Sequence, residues 1–314
     1  MEGYLDKKKI KLNEEKTKVI FFGKSRGRKA KDDMDNIWNW KGIRIELVKE
    51  IIYLGYQLSD DNKDTRHVNA QTAKARSALG RIWSIGENFY KNEWKERKIL
   101  FESLVKSVLF YKVEIWRYEK YEVVERIKKK YMKWVLKLER NTPDYIVRRE
   151  TKENSLWIEG IKRIKKYEEK LNTLEETDIR NEIWKRKSKD LGIKNRYDIA
   201  RDRVMEISKE WHSKINMDEG WIADRIIEIL QEKERIQDID QIMKSRYLKE
   251  QKEYLISDWQ KDEMPSYLKN KLEISIIARF GVGNEYKENK KWIKKEERIC
   301  RLCKIRQETA ERIY

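Results

Sequence analysis

Long apolar runs, cysteine and histidine are all scarce in this sequence. No apolar run approaches the roughly 20 residues that a membrane-spanning helix needs, and residues 1–6 lack the apolar core of a signal peptide. The 2 cysteines, Cys300 and Cys303, lie too close together to close a long stabilising loop, and they suit a reducing compartment. We therefore expect a soluble intracellular protein, nuclear or cytoplasmic, without a membrane partner.

Charged residues, in contrast, are abundant. They make up 41% of the chain, against about a quarter in ordinary globular domains. Lys and Arg number 74 and Asp and Glu 56, which gives a net charge of +18. This excess favours a polyanionic partner over an acidic protein or a small-molecule substrate. We predict RNA and DNA as partners; the alternative is a solvated helical protein whose basic excess serves only solubility.

Short β-rich stretches occupy the N-terminal residues 1–60. A polar turn rich in Asn, Glu and Lys precedes an apolar run at residues 19–22, which indicates a turn followed by a buried strand. Ile43, Ile45 and Leu47 alternate with charged residues, the period of a half-buried strand, and a further β-rich run ends at Gly55. We predict a small antiparallel sheet.

Residues 61–145 contain three amphipathic helical patterns, each with apolar side chains on one face. The first is formed by Val68, Thr72, Ala75, Leu79, Ile82 and Trp83. The second begins near Trp94 and runs through Phe101, Leu104, Val105, Val108, Leu109 and Trp116. The third comprises Val124, Ile127, Tyr131, Trp134, Val135 and Leu138 and stops at Asn141-Thr142-Pro143. We expect a small helical bundle with the aromatic residues in its core.

The rest of the chain is charged and mostly helical by pattern. Residues 146–262 are predicted to form a charged helical linker, with breaks at Gly160, Gly192 and Gly220. A modest apolar stripe is predicted at Trp157, Ile161, Ile164 and Leu171, and residues 221–256 are predicted to be little more than a spacer. In residues 263–314 a last helix begins near Pro265, with its apolar face at Leu272, Ile276, Ile277 and Phe280. The predicted fold class is mainly α with a small N-terminal antiparallel β element, an elongated helical bundle and a helical linker.

Two N-terminal motifs resemble a known family. The segment Asn13-x-x-Lys16-Thr17-Lys18, followed by apolar and aromatic residues and later by Tyr53-Leu54-Gly55, is similar to palm motifs D and E of non-LTR (LINE-type) retrotransposon reverse transcriptases. The resemblance continues to the end of the chain, at Tyr314. It implies a palm remnant at 1–60, a thumb at 61–145, a linker at 146–262, and a C-terminal helix with an incomplete zinc knuckle at 263–314.

In this family two metal ions are held by aspartates that precede motif D. We expect this chain to begin too late to contain them, and therefore to carry no cofactor, Mg²⁺ belonging to the full-length enzyme. The pairs Asp32-Asp33 and Asp60-Asp61 lack the order and the apolar flanks of the catalytic hairpin. The resemblance leaves one accessory residue, Lys16, near the incoming triphosphate. It also implies a primer grip at Tyr53, Leu54 and Gly55.

The pair Cys300 and Cys303 supplies half of a tetrahedral zinc site. The family motif continues Glu-Thr-x-x-His and a final Cys, but here Arg312 stands at the histidine position. A guanidinium cannot coordinate Zn²⁺, and His67 and His212 lie far away in the sequence. We expect free thiols and no bound zinc.

Nucleic-acid contacts are predicted for a basic loop and for charged helix faces, where a row of cations can follow a phosphate backbone. These cations are Lys24, Arg26, Arg28, Lys128, Lys129, Lys130, Lys133, Arg148 and Arg149. The loop also has the composition of an ordinary solvated loop. The predicted function is a fragment of an RNA-directed DNA polymerase that binds RNA or DNA but does not polymerise. The alternative is a helical nucleic-acid-binding or interaction protein, or a relic without function.

Overall fold

The computed structural model describes residues 7–9, 13, 15–22, 39–40, 43–116, 118–174, 178, 196–212, 219–245, 265–269, 274–281 and 294–298. Most of these residues are helical, and the strands are short and N-terminal, so the predicted mainly-α fold class is confirmed. The chain divides into two compact units, Met1–Gln71 and Thr72–Tyr314. The division falls within the first long helix, Thr65–Phe89.

The described strands form three two-stranded sheets. In chain order they are β1 (Lys18–Val19), β2 (Asn39–Trp40), β3 (Ile43–Arg44), β4 (Glu46–Leu47), β5 (Glu50–Tyr53) and β6 (Tyr56–Ser59). β2 pairs with β3 and β5 with β6, both antiparallel, whereas β1 pairs with β4 in parallel, with Lys18 opposite Glu46. The predicted small antiparallel β element is therefore confirmed by the β2–β3 and β5–β6 pairs, and the parallel β1–β4 pair is an addition to it.

The turn before β1 is formed as the sequence predicts. The Lys16 amide donates to the Asn13 side-chain oxygen over 2.9 Å, and the Thr17 hydroxyl donates to the Asn13 carbonyl over 2.7 Å. The strand after it is not buried, however, because Phe21 and Phe22 are 40% and 51% exposed.

A tight turn joins β5 to β6 at Leu54 and Gly55. Tyr53 pairs directly with Tyr56, and both turn residues have positive φ, 48° for Leu54 and 76° for Gly55. Two positive φ angles fit the right-handed twist of a hairpin, and glycine adopts them without steric strain. Gly55 is thus a turn residue, and the prediction that it closes a strand is wrong.

The helices are numbered here in chain order. They are α1 (Thr65–Phe89), α2 (Trp94–Leu100), α3 (Ser107–Leu109), α4 (Val113–Trp116), α5 (Glu122–Val135), α6 (Asp144–Thr151), α7 (Leu156–Asn172), α8 (Arg196–His212), α9 (Glu219–Lys244), α10 (Ser266–Lys269) and α11 (Ile274–Gly281). The predicted apolar face of α1 is confirmed, since Val68, Ala75, Leu79 and Ile82 are buried.

The predicted second helix is continuous only as far as Leu109 and contains a π-helical segment, Phe101–Lys106, between α2 and α3. A π-helix has more residues per turn than an α-helix, so the residue three positions along lies further from the starting face, while the residue four positions along stays near it. Phe101, Val105 and Leu109 accordingly form the buried stripe, and Leu104, predicted to be in the core, is 45% exposed. The helix ends before Lys112, which has a positive φ of 56°.

The predicted linker packs tightly against the bundle. Helices α7, α8 and α9 share an apolar cluster with Tyr118, which lies two residues after the end of α4. The cluster consists of Tyr118, Ile158, Ile161, Ile164, Val204, Ile226 and Leu230. Gly160 lies buried inside α7 and breaks nothing. The described part of this region is therefore a structural layer. Ile161 and Ile164 of the predicted apolar stripe are buried in the cluster, and the spacer prediction for residues 221–256 is wrong where α9 contributes Ile226 and Leu230.

The C-terminal helices show a different buried face from the predicted one. In α11, Ile274 and Ala278 are fully buried, whereas Ile276 and Ile277 are 49% and 37% exposed. Leu272 lies outside the described residues, as do Gly192 and the two cysteines.

Candidate nucleic-acid interface

The cations that the sequence predicts as nucleic-acid contacts fall into distinct environments. Lys24, Arg26 and Arg28 lie outside the described residues. The others lie on α5 and α6, in Thr72–Tyr314. Their neighbours decide which of them faces solvent.

Lys128 is buried, with 6% of its surface exposed. Its ammonium donates to Glu153 over 3.1 Å, to the Asn154 carbonyl over 2.8 Å and to Glu159 over 2.5 Å. Burial disfavours the charged form, yet Glu159 and Glu153 together raise the pKa of Lys128 above its ordinary value. The prediction that Lys128 belongs to an exposed cationic row is wrong, because this lysine ties α5 to the start of α7.

Two more cations extend this ionic cluster from the preceding helical segment. Lys98 pairs with Glu153, and Lys106 pairs with Glu159. The cluster therefore consists of Lys98, Lys106 and Lys128 with Glu153 and Glu159. Each carboxylate of the cluster pairs with two cations, because Lys128 contacts both Glu153 and Glu159.

Lys129 and Lys133 share one carboxylate, that of Asp144 at the start of α6. The distances from their ammonium groups to Asp144 are 2.9 and 3.1 Å. Burial disfavours ionisation of Asp144, but the two lysines hold its pKa below the ordinary value. Phosphate would compete with this carboxylate for both lysines, and their role in binding stays a prediction.

The two arginines of α6 are also paired. Arg148 makes a bidentate contact with the buried Asp238 of α9, its Nε donating to Oδ2 over 2.7 Å. Arg149 is 2% exposed and donates to the neighbouring Glu150. Arg149 is thus placed away from solvent, and Arg148 fixes α6 to α9.

Lys130 differs from all of these. It is exposed, and its ammonium lies 4.4 Å from the centre of the Trp134 ring. No carboxylate among the described residues lies within ion-pairing distance of it. A cation over an indole face gains from the ring quadrupole and keeps its remaining N–H donors available.

The tryptophan beneath Lys130 is part of an aromatic contact between α1 and α5. The rings of Trp134 and Trp83 meet edge-on with centroids 5.1 Å apart. On the α1 side, the guanidinium of the buried Arg97 lies 5.0 Å from the Trp83 ring centre and pairs with Glu87 over 2.8 Å. Both tryptophans are half-buried, so part of each side chain is exposed to solvent.

Two further exposed cations lie on α5 or just after it. Arg126 precedes Lys130 by four residues, a spacing that returns to the same face of a helix. Lys137 lies two residues past the end of α5, where its φ of 50° is no longer helical. Sequence reasoning missed both because it followed the Lys128-Lys129-Lys130 run; the signal that finds Arg126 is its spacing of four residues from Lys130. Arg126, Lys130 and Lys137 are called the α5 row below.

The motif residues Lys16, Tyr53 and Leu54 of Met1–Gln71 are exposed. Tyr53 and Leu54 are 63% and 69% exposed at the hairpin tip, next to Ile52 at 72%. The hairpin presents apolar side chains to solvent, and the primer-grip role stays a prediction.

The acidic pair Asp60-Asp61 lies in the turn after β6, where Asp61 accepts a hydrogen bond from the Lys63 amide over 3.0 Å. Asp32-Asp33, Cys300 and Cys303 are outside the described residues. Within the described ranges, no three His, Cys, Asp or Glu side chains come together as a metal site would require.

Comparison with known proteins gives no family. The chain matches no protein-family model, no curated protein and no solved structure. In the part of the chain that the structure describes, no helix is long and apolar enough to cross a membrane.

Proposed function

We propose that this chain binds RNA or DNA through the α5 row, and that it corresponds to the region of a LINE-type reverse transcriptase from motif D to the zinc knuckle, which does not polymerise by itself. Support comes from the motif resemblance around Lys16-Thr17-Lys18 and Tyr53-Leu54-Gly55, and from a net charge of +18. The partner class is a polyanion with regularly spaced phosphates.

The observation that carries the binding proposal is the position of Lys130. Its ammonium is held over Trp134 and has no carboxylate partner in the described part of the chain, whereas Lys129 and Lys133 would each have to give up Asp144. A phosphate that contacts Lys130 therefore displaces no described carboxylate. Arg126 extends the same exposed helix face, and the exposed Lys137 follows the end of α5, so the proposal assigns all three cations to one strand.

Replacing the α5 row by glutamine, R126Q/K130Q/K137Q, is expected to weaken binding of a ~20-base-pair duplex by about 10- to 100-fold at ~0.1 M salt. The slope of log affinity against log salt should fall by about 2 to 3, since each lost phosphate contact removes about 0.9. Fluorescence anisotropy across a salt titration measures both quantities.

The matched control for this variant is K162Q/K166Q/K170Q on α7. These lysines are also exposed and four residues apart, so the control removes the same charge from another helix. We expect it to change affinity by less than about threefold. Equal losses of affinity in both variants would mean that net charge alone drives binding. That is the alternative hypothesis, in which a helical protein coats RNA or DNA without a defined binding surface.

The proposal also predicts that the purified chain does not extend a primer. With Mg²⁺ or Mn²⁺, dNTPs and an annealed template–primer, incorporation should equal that of a protein-free reaction, because two-metal catalysis needs the aspartates that precede motif D in the family. Metal-dependent extension that survives purification to homogeneity and is abolished by D60N/D61N would contradict the assignment.

A further inference from the structure

Gly80 is placed in the middle of α1, and its packing does not account for it. The residue is exposed, and a Cβ atom added there would meet no heavy atom within 4 Å. Glycine in a helix interior loses more conformational entropy on folding than any other residue, so it weakens the helix relative to alanine. By contrast, a Cβ at Gly86 in the same helix would approach the Arg97 side chain to 2.9 Å.

The surroundings of Gly80 connect it to the α5 row. Arg76 and Trp83 lie four residues before and three residues after it, and therefore share its side of α1. Trp83 contacts Trp134 at 5.1 Å, and Trp134 lies beneath Lys130 at 4.4 Å. The exposed surface thus passes from a residue without a side chain, over two half-buried indoles, to the Lys130 ammonium, which pairs with no carboxylate of the described residues.

We propose that Gly80 is the point at which the sugar–phosphate backbone of the bound nucleic acid approaches the protein most closely. Charge identifies the occupant: Arg76 is exposed on one side of Gly80, and the α5 row lies beyond the Trp83–Trp134 contact on the other. Glycine suits a position where a ligand backbone comes against a helix, because any side chain would hold the ligand away. This inference rests on the proposed function and extends its surface from α5 to α1.

The test replaces Gly80 by alanine and by leucine in the full chain. We expect Gly80→Leu to weaken duplex binding by about tenfold and Gly80→Ala by about threefold, because the loss grows with the volume that the backbone must avoid. Both variants should unfold at a temperature equal to or higher than that of the parent chain, since alanine and leucine are better helix formers than glycine. Anisotropy and thermal unfolding are measured on the same samples.

Asn88→Leu is the matched control, because it adds one exposed leucine to the same helix about two turns further on. It should leave affinity within about twofold of the parent. Unchanged affinity in Gly80→Leu, together with a large loss in the α5-row variant, would overturn the close-approach inference and leave the proposed function standing. A parent chain that binds no duplex or single strand at ~50 mM salt would instead overturn the proposed function itself.

Discussion

Lys128→Met is expected to lower the free energy of unfolding by about 3 kcal/mol at pH 7, since removing one member of a buried ion pair leaves its partners uncompensated. Methionine fills a similar volume, so the loss reports charge and hydrogen bonds more than a cavity. Glu153 and Glu159 keep Lys98 and Lys106 as partners, which holds the effect near the lower end of the range for buried pairs. Urea unfolding followed by tryptophan fluorescence measures it.

The pH dependence of this loss separates an ionic cause from a packing cause. Burial disfavours ionisation of Glu159, but Lys128 and Lys106 together hold its pKa below the ordinary value. Such a carboxylate contributes stability above its unfolded pKa of about 4.3, and that contribution is lost as the pH falls through the lower folded pKa. The raised pKa of Lys128 gives a contribution that is full below about pH 10.4 and is lost as the pH rises through the folded value.

The difference between Lys128→Met and the parent should therefore be largest near pH 7 and shrink below about pH 4. Val135→Ala, a cavity variant at a fully buried position of the same helix, should show a difference that hardly changes with pH. Lys130→Met should change stability by less than about 0.5 kcal/mol, because this lysine is exposed. A loss under about 1 kcal/mol for Lys128→Met would contradict the structural role assigned to it.

The contrast between Lys128 and Lys130 shows what the sequence could and could not predict about the site. Successive helical residues point about 100° apart, so three consecutive lysines cannot all face one surface. The sequence alone indicates this. It does not indicate which lysine is buried, because that depends on Glu153 and Glu159, carboxylates that lie 25 and 31 residues further along the chain.

The fold shows the same division between local and non-local information. The buried faces of α1 and α5 follow the 3.6-residue period, and the pattern predicted them correctly. Leu104 was assigned to the core because that period was applied across a π-helical segment, which a hydrophobic pattern alone does not distinguish. The pattern indicates the apolar stripe of α7 at Ile161 and Ile164, but the high charge of the following residues hides its partners, since α8 and α9 contribute only Val204, Ile226 and Leu230 to the cluster.

Glu125→Ala is expected to have a comparably large effect, about 3 kcal/mol, because this buried carboxylate caps the N-terminus of α7. Glu125 is 1% exposed and accepts hydrogen bonds from the Leu156 amide over 2.9 Å and from the Trp157 amide over 2.7 Å. The first amides of a helix have no partner within the helix, and a negative charge there is also favoured by the helix dipole.

Replacing Glu125 by alanine removes the acceptor for two amides, and the Leu156 residue is fully buried, so water cannot easily take its place. Glu125→Gln keeps an acceptor oxygen but no charge, and should lose about half as much. Glu122→Ala, at the exposed start of α5, removes a carboxylate that is 60% exposed and should cost less than about 0.5 kcal/mol.

In Glu125→Ala, hydrogen exchange at the Leu156 and Trp157 amides should accelerate well beyond the change at the core of α5. If the alanine variant instead exchanged and unfolded like the parent, α7 would have to be anchored by other contacts, such as the bond from the Ser155 amide to Glu234 over 2.9 Å.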